Sequence, residues 1–246
     1  KQHGYKSLVV DMALNEVIPA APIYGITVSS PDVSIVIDIL KQLKSLHPDA
    51  HFVAGGPHAI VMPDDLLQRG FDQVVASEGE RAILDIMRGN RDKIITREPV
   101  DNLDSVPFPD REHNIASKYK WMMNGLLTAN YTSSRGCPYS CAFCCKTVNF
   151  GTKARFRSAQ NVINEITELK ENYGYQAVMD YADEVLLDLK RDTAIFKACA
   201  ALGIPYRILT RANLLTEEAI HVLQDTGCYE LFIGVESGSE RILRNI

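Results

Sequence analysis

Tyr131-Thr-Ser-Ser-Arg-Gly-Cys137-Pro-Tyr-Ser-Cys141-Ala-Phe-Cys144 is the stretch on which the reading of this chain turns. Residues 131 to 134 read as a short strand, and the chain then breaks into a loop carrying three cysteines. Three thiolates within eight residues can curl round one small object. Soft thiolates select iron–sulfur clusters, zinc and copper, and an iron–sulfur cluster is the expectation. An ordinary cluster takes four Cys ligands. Here no fourth stands in the run, which leaves a metal position open, as in catalytic rather than closed structural sites. Cys145 points elsewhere if Cys144 binds iron, and it reads as a bystander.

Outward from the loop, strands and helices alternate. A helix carries Val162, Ile166, Leu169 and Tyr173 on one face. Gln176 to Tyr181 reads as a strand, Leu189 to Leu202 as a helix closed by Gly203, and Tyr206 to Thr210 as a strand. Thr216 caps a helix with Glu217 and Glu218 in its first turn, and Gly227 ends it. Glu230 to Val235 is the last strand. A complete eight-fold barrel needs ~250 residues, so residues 131–246 predict a partial TIM-like barrel, with the chain cut short at both ends. Each strand ends in a polar cluster: the cysteine loop, Asp180 to Glu184, Thr210 to Asn213, and Gly234 to Gly238. Barrel active sites are assembled from such ends. Taken singly, Asp183 also fits a helix cap, Arg211 a surface ion pair, and Glu236-Ser237 a cap for the final helix. Cys199 and Cys228 fit small core residues.

Upstream, Lys6–Met12 and Ile23–Val28 read as strands. Ser30 then Pro31 is a helix start, followed by Val33, Val36, Ile37, Leu40 and Leu43 at helical spacing and a stop at His47-Pro48. Ala50–Ala54 is a strand ending on Gly55-Gly56-Pro57-His58. A short helix lies near Asp64–Gln68. Asp72–Ala76 is a strand ending on Ser77-Glu78-Gly79-Glu80, and a helix with Ile83, Ile86 and Met87 stops at Gly89. This alternation predicts an α/β fold with a doubly wound, Rossmann-like front domain over residues 1–96. Ligands in such sheets sit beyond the carboxyl ends of the strands, which marks Ser29-Ser30 and the two glycine-bearing turns. Structural turns use the same residues. Residues 97–130, punctuated by Pro99, Pro107 and Pro109, read as a linker, with Trp121, Met122 and Met123 as a packed flap. The second domain then spans 131–246.

Composition narrows the class. Apolar residues make up 46% and charged ones 23%, with a formal net charge of -5, which does not favour nucleic acid as a partner. The basic run Lys146, Lys153, Arg155, Arg157 fits a solvated face, or a helper for anionic groups near the cysteines. No run of ~18 apolar residues spans a membrane. Four of the six cysteines crowd into residues 137–145, which fits a metal site in a reducing cytoplasm better than a disulfide framework.

The Arg135-Gly-Cys137-Pro-Tyr-Ser-Cys141-Ala-Phe-Cys144 run resembles the signature of radical S-adenosylmethionine (SAM) enzymes, three cysteines with an aromatic residue before the last. Phe156-Arg157-Ser158, Asp183, Thr210-Arg-Ala-Asn213 and Gly234-Val-Glu-Ser-Gly238 recur in the subgroup with a cobalamin-binding-like N-terminal domain. Gly25-Ile-Thr-Val-Ser29, Gly55-Gly-Pro-His58, Ser77-Glu-Gly-Glu80 and the linker Leu103-Asp-Ser-Val-Pro-Phe-Pro109 resemble the front of that subgroup. The resemblance implies that Cys137, Cys141 and Cys144 hold three irons of a 4Fe–4S cluster and that SAM binds the fourth. One electron then splits the sulfonium and gives a 5′-deoxyadenosyl radical. Phe143 shields the cluster near the adenine. Asp183, Arg211 and Glu236 hold the methionine and ribose parts. Ser30, Gly55, Gly56, His58 and Glu78 are the candidate contacts for cobalamin. Methyl transfer or a related C–H functionalisation, as in cyclases, is the implied chemistry. It acts on a small-molecule or natural-product substrate, with an external flavodoxin- or ferredoxin-type electron donor.

The Asp-x-His-x-x-Gly motif of one cobalamin class is absent, since the segment after Asp11 runs Met-Ala-Leu-Asn. His58 is then either a substitute cobalt ligand or a satisfied turn histidine. Competing readings are a front domain that is an empty scaffold and a non-enzymatic zinc-binding interaction protein, which would need four ligands. A methylthiotransferase would need front-domain cysteines, and residues 1–136 hold none.

Overall fold

The computed structural model describes residues 4–11, 17–111, 119, 121–145 and 151–246. The chain divides into two units, one of Met12–Asp101 with Cys145–Phe150, the other of Lys1–Asp11, Asn102–Cys144 and Gly151–Ile246.

The front unit is built on strands β1 (Ile23–Thr27), β2 (His51–Gly55), β3 (Gln73–Val75) and β4 (Ile94–Ile95). All neighbours are parallel, and strand order follows chain order among the described strands. Helices α1 (Val33–Leu46), α2 (Pro57–Val61), α3 (Pro63–Gln68) and α4 (Gly79–Met87) connect them. Side chains alternate across a strand. Phe52 and Ala54 therefore join Val36, Ile37, Leu40, Leu43 and Leu66 in one core, while Val53 joins Val75, Ala82, Ile86 and Ile95 in another. The sheet is thus covered on both faces, as a near-continuous apolar strand such as Phe-Val-Ala requires.

Two local readings change. Residues 6–11 form no strand. Leu8 and Val9 are 63% and 66% exposed, so no layer among the described residues buries this apolar run; Met12 lies outside the described residues. Ser30 does not cap α1. Ser30–Asp32 forms a 3-10 turn without a side-chain cap bond, Pro31 sits in its first positions, and α1 starts at Val33.

In the second unit, β5 (Met122–Met123) and β6 (Leu126–Tyr131) form a hairpin. Its turn is Asn124-Gly125, both with positive φ (46° and 82°), the two-residue geometry that Asn-Gly favours. The expected strand Tyr131–Ser134 therefore begins earlier, at Leu126. β7 (Ser134–Arg135) and β8 (Arg155–Phe156) pair as a small ribbon. Then come α5 (Ala159–Glu171), β9 (Ala177–Asp180), α6 (Leu189–Leu202), β10 (Tyr206–Arg211), α7 (Glu217–Asp225), β11 (Cys228–Gly234) and α8 (Glu240–Leu243).

The main sheet runs β11-β10-β9-β6-β5, with β6, β9, β10 and β11 mutually parallel. Sequential parallel strands with a helix after each is the winding of a β/α barrel. Val162, Ile166 and Leu169 of α5, Ile195, Phe196 and Cys199 of α6, and Leu223 of α7 pack on Ala129, Tyr131, Val178, Tyr206 and Ile208. Phe196 and Tyr206 stack at 4.6 Å between ring centres. Cys199 is fully buried, and burial pushes its thiol up to about 12, so it is an inert core residue. Thr216 caps α7 as expected, and Ser158 and Asp188 likewise accept a backbone N–H at the start of α5 and α6.

Candidate functional site

The cysteine loop leaves the sheet after β6, and the carboxyl ends of β9 and β10 hold it. Asp180 at the end of β9 accepts the N–H groups of Ser133 (3.1 Å) and Ala182 (3.0 Å). Arg191 of α6 donates to the carbonyls of Ser133 and Arg157, each at 2.7 Å. These contacts fix the strand exit. Gly136 then turns with φ of 85°, and its N–H donates to Asp183 at 2.7 Å. Asp183 is thus an anchor for the residue before Cys137, and Asp188 is the cap of α6.

Beyond Gly136, Cys137, Cys141 and Cys144 are half-buried thiols in no disulfide, and Cys145 is exposed. The Cys144 N–H closes a turn onto the Cys141 carbonyl at 3.0 Å. Phe143, between them, is 61% exposed. Burial pushes the Cys137 thiol up, partly offset by a backbone hydrogen bond at Tyr139. Arg211, the last residue of β10, donates to Cys141 Sγ at 2.6 Å and lies over the Tyr139 ring at 4.2 Å. Asn213 donates to the Tyr139 hydroxyl at 3.3 Å. Buried Glu184 accepts the Thr210 hydroxyl at 2.9 Å and the Arg211 N–H at 3.0 Å, tying β10 to the β9 loop. Sequence reasoning named Glu184 within its cluster without giving it a role. A carboxylate next to Asp183 carries no sequence signal of which one turns inward.

Glu236 follows β11, whose Gly234 is in register with Arg211. Its backbone is left-handed, φ 60°, an uncommon and strained state for Glu. A Cβ on Gly234 would meet Glu236 Oε1 at 2.5 Å, so this side chain folds back over the glycine. Glu236 does not cap α8, which has no side-chain cap bond.

The donor set fits an iron–sulfur cluster: three soft sulfurs, half-exposed, with a guanidinium beside one of them. Among the described residues no three His, Cys, Asp or Glu side chains converge closely enough to hold a metal ion as they stand. Metal binding would draw the sulfurs in and release their protons, as is usual for thiolate sites.

Of the basic run after the loop, Lys153 is exposed, but the two arginines are not part of a solvated face. Arg155 and Arg157 are buried. Arg157 pairs with buried Glu165 at 2.5 Å, and Arg111 reaches the same carboxylate at 3.2 Å. A carboxylate on α5 drew these cations inward, which charge counting along the chain does not show. Lys146 lies outside the described residues.

In the front unit, Ser30 and the Gly55–His58 turn meet beyond β1 and β2. The Ser30 hydroxyl and His58 Nδ1 are 3.0 Å apart, and His58 Nε2 is 3.3 Å from Asp65. Both ring nitrogens of His58 are engaged. Arg69 holds the Asp65 carboxyl below its ordinary value. Gly56 has φ of 93°, and a Cβ there would lie 2.9 Å from the Val28 carbonyl. Gly55 faces open space. Glu78 is turned away to accept the Val100 N–H at 3.1 Å.

Residues 131–246 match the Radical SAM superfamily model, and residues 15–87 match the B12 binding domain. Residues 131–246 belong to the radical SAM superfamily. The radical SAM domain thus carries its cysteine loop between the first parallel strand and the first helix of the sheet. An uncharacterized methyltransferase of Pyrococcus horikoshii is 28% identical over 247 residues, covering 91% of this chain and 53% of that protein. The hopanoid C-3 methylase of Methylococcus capsulatus is 28% identical over 225 residues, covering 82% and 42%. The radical SAM methyltransferase TsrM of Kitasatospora setae, solved with cobalamin and a 4Fe–4S cluster, superposes with a TM-score of 0.70 at 15% identity, covering 92% of this chain and 50% of that one. The chain spans about half the length, or less, of the curated relatives it matches. No helix among the described residues is long and apolar enough to cross a membrane.

Proposed function

We propose that the chain is part of a cobalamin-dependent radical SAM methyltransferase, or an enzyme of related C–H functionalisation, acting on a small-molecule substrate. The observation that carries the reading is the triple-cysteine loop, tied by Asp183 and Arg211 to the ends of two neighbouring parallel strands. The B12-binding match in front of it supports the cobalamin half. When bound, the cluster supplies an electron for cleavage of SAM, and cobalamin supplies a methyl carrier.

The chain's own residues take the following parts. Cys137, Cys141 and Cys144 are the iron ligands. Arg211 offers positive charge to the cosubstrate carboxylate, and Asp183 and Glu236 offer negative charge to its amino and ribose groups. Phe143 covers the loop from solvent. Ser30, Gly55, Gly56 and His58 shape the cobalamin contact, where bare Gly55 lets the ligand approach the backbone closely. Glu78 supports that site through the backbone at Val100. With both ring nitrogens occupied, His58 is not expected to ligate cobalt. An external one-electron donor completes the system. The described cysteines stand in no disulfide, which supports work in a reducing cytoplasm.

The test is anaerobic reconstitution of the full-length protein with iron and sulfide, then reduction with SAM present. The expected product is 5′-deoxyadenosine, and extraction should yield a corrinoid. Cys141→Ala should lose both iron and product by at least ~100-fold, since metal-site losses reach that size even one shell further out. Product from Cys141→Ala at the wild-type rate would sink the ligand assignment, and absence of any corrinoid would leave the front domain a scaffold.

A further inference from the structure

We propose that Tyr139 is a positioning residue that grips the cysteine loop to the end of β10 and keeps the Arg211 guanidinium on the Cys141 sulfur. This rests on the reading of Cys141 as an iron ligand. Tyr139 lies in the spacer between Cys137 and Cys141, where the cysteine spacing demands no particular side chain.

Three contacts close on one another. The Arg211 guanidinium lies 4.2 Å over the Tyr139 ring, within cation–π range. Asn213 donates to the Tyr139 hydroxyl at 3.3 Å. Arg211 Nε donates to Asn213 Oδ1 at 3.2 Å. The remaining arm of the unit is Arg211 Nη1 on Cys141 Sγ. The backbone from which Arg211 extends is itself anchored, since its N–H is held by Glu184, a buried carboxylate that also holds Thr210. The ring is therefore a plate that sets the height and tilt of the guanidinium beside the sulfur.

Hydrogen bonds to cluster sulfurs and nearby positive charge favour the more negative, reduced state and raise its potential. Tyr139 acts through Arg211, so its loss should move the potential rather than the iron count.

The experiment uses the full-length protein, reconstituted anaerobically, with iron and sulfide per chain and an EPR-monitored midpoint titration as readouts. Tyr139→Leu is expected to keep its iron and sulfide but to titrate at a more negative midpoint with an altered reduced-cluster signal. Tyr139→Phe keeps the ring and is expected to stay near wild type. Should Tyr139→Leu unfold, Asn213→Ala removes partners of both the hydroxyl and Arg211 Nε without touching the loop, and a shift in the same direction is expected. A loaded Tyr139→Leu with wild-type midpoint and signal overturns the inference, as does Tyr139→Phe shifting as far as Tyr139→Leu. Wild-type protein that takes up no iron overturns the cluster reading instead.

Discussion

Two adjacent glycines do different work. Gly56 combines a positive φ with a backbone carbonyl 2.9 Å from where its Cβ would lie. Gly56→Ala is expected to cost about 1–3 kcal/mol from backbone strain and a similar amount from overpacking. Gly55→Ala meets nothing within 4 Å and should leave stability nearly unchanged. Paired urea melts of the two variants check this, and equal melts would contradict it. A Gly-Gly pair in sequence announces that a turn needs freedom, but not which of the two needs it. Three cysteines were legible as a set because their spacing is their chemistry. Glu184 and Tyr139 were not, since their roles depend on what stands opposite them.

Between elements, the join of α5 to the segment around Arg111 rests on a shared carboxylate. Glu165 is buried and takes two guanidinium groups, from Arg111 and Arg157. Removing one member of a buried ionic group leaves uncompensated charge, worth about 3–5 kcal/mol. Glu165→Ala is expected to lose that much in a denaturant titration, and Glu165→Gln, which keeps an acceptor, less. An unchanged midpoint in Glu165→Ala would show that the pair is solvated. Helix ends were readable from single residues, because caps act locally: Thr216 and Gly203 fall where expected. The hairpin at Asn124-Gly125 carries a local signal too, but its first strand is only Met122–Met123 and lies in proline-punctuated, linker-like sequence, so its pairing is not legible there. Residues 6–11 show the opposite error. Their strand propensity is real, yet Leu8 and Val9 stay exposed among the described residues, and propensity without burial does not make a strand.

For the radical SAM domain as a whole, pH reports on buried charge. Asp192 sits beside Arg191 beneath the cysteine loop. Burial pushes its carboxyl up to about 6, with Arg191 opposing. The unfolded value is ~3.9. Between the two the folded chain holds a proton that the unfolded chain has released, so stability falls as pH rises from ~4 to ~6 and then levels off. The span corresponds to on the order of 3 kcal/mol. Asp192→Asn cannot ionise and should flatten that slope. Melting temperatures across pH 4–7 test this, and parallel curves for the two proteins would refute it.

From the sequence alone came the alternation of strands and helices, the parallel sheets it implies, and the three sulfurs. These are properties of periodicity and of neighbours along the chain. Tertiary structure decided which polar groups serve the loop. Asp183, Glu184 and Arg211 lie far from Cys137–Cys144 in sequence and meet it only because parallel strands bring their carboxyl ends to one edge. It also turned Arg155 and Arg157 from apparent surface charges into buried ones. A charge is driven inward only when a partner waits there, and the partner's position is a fact of three dimensions.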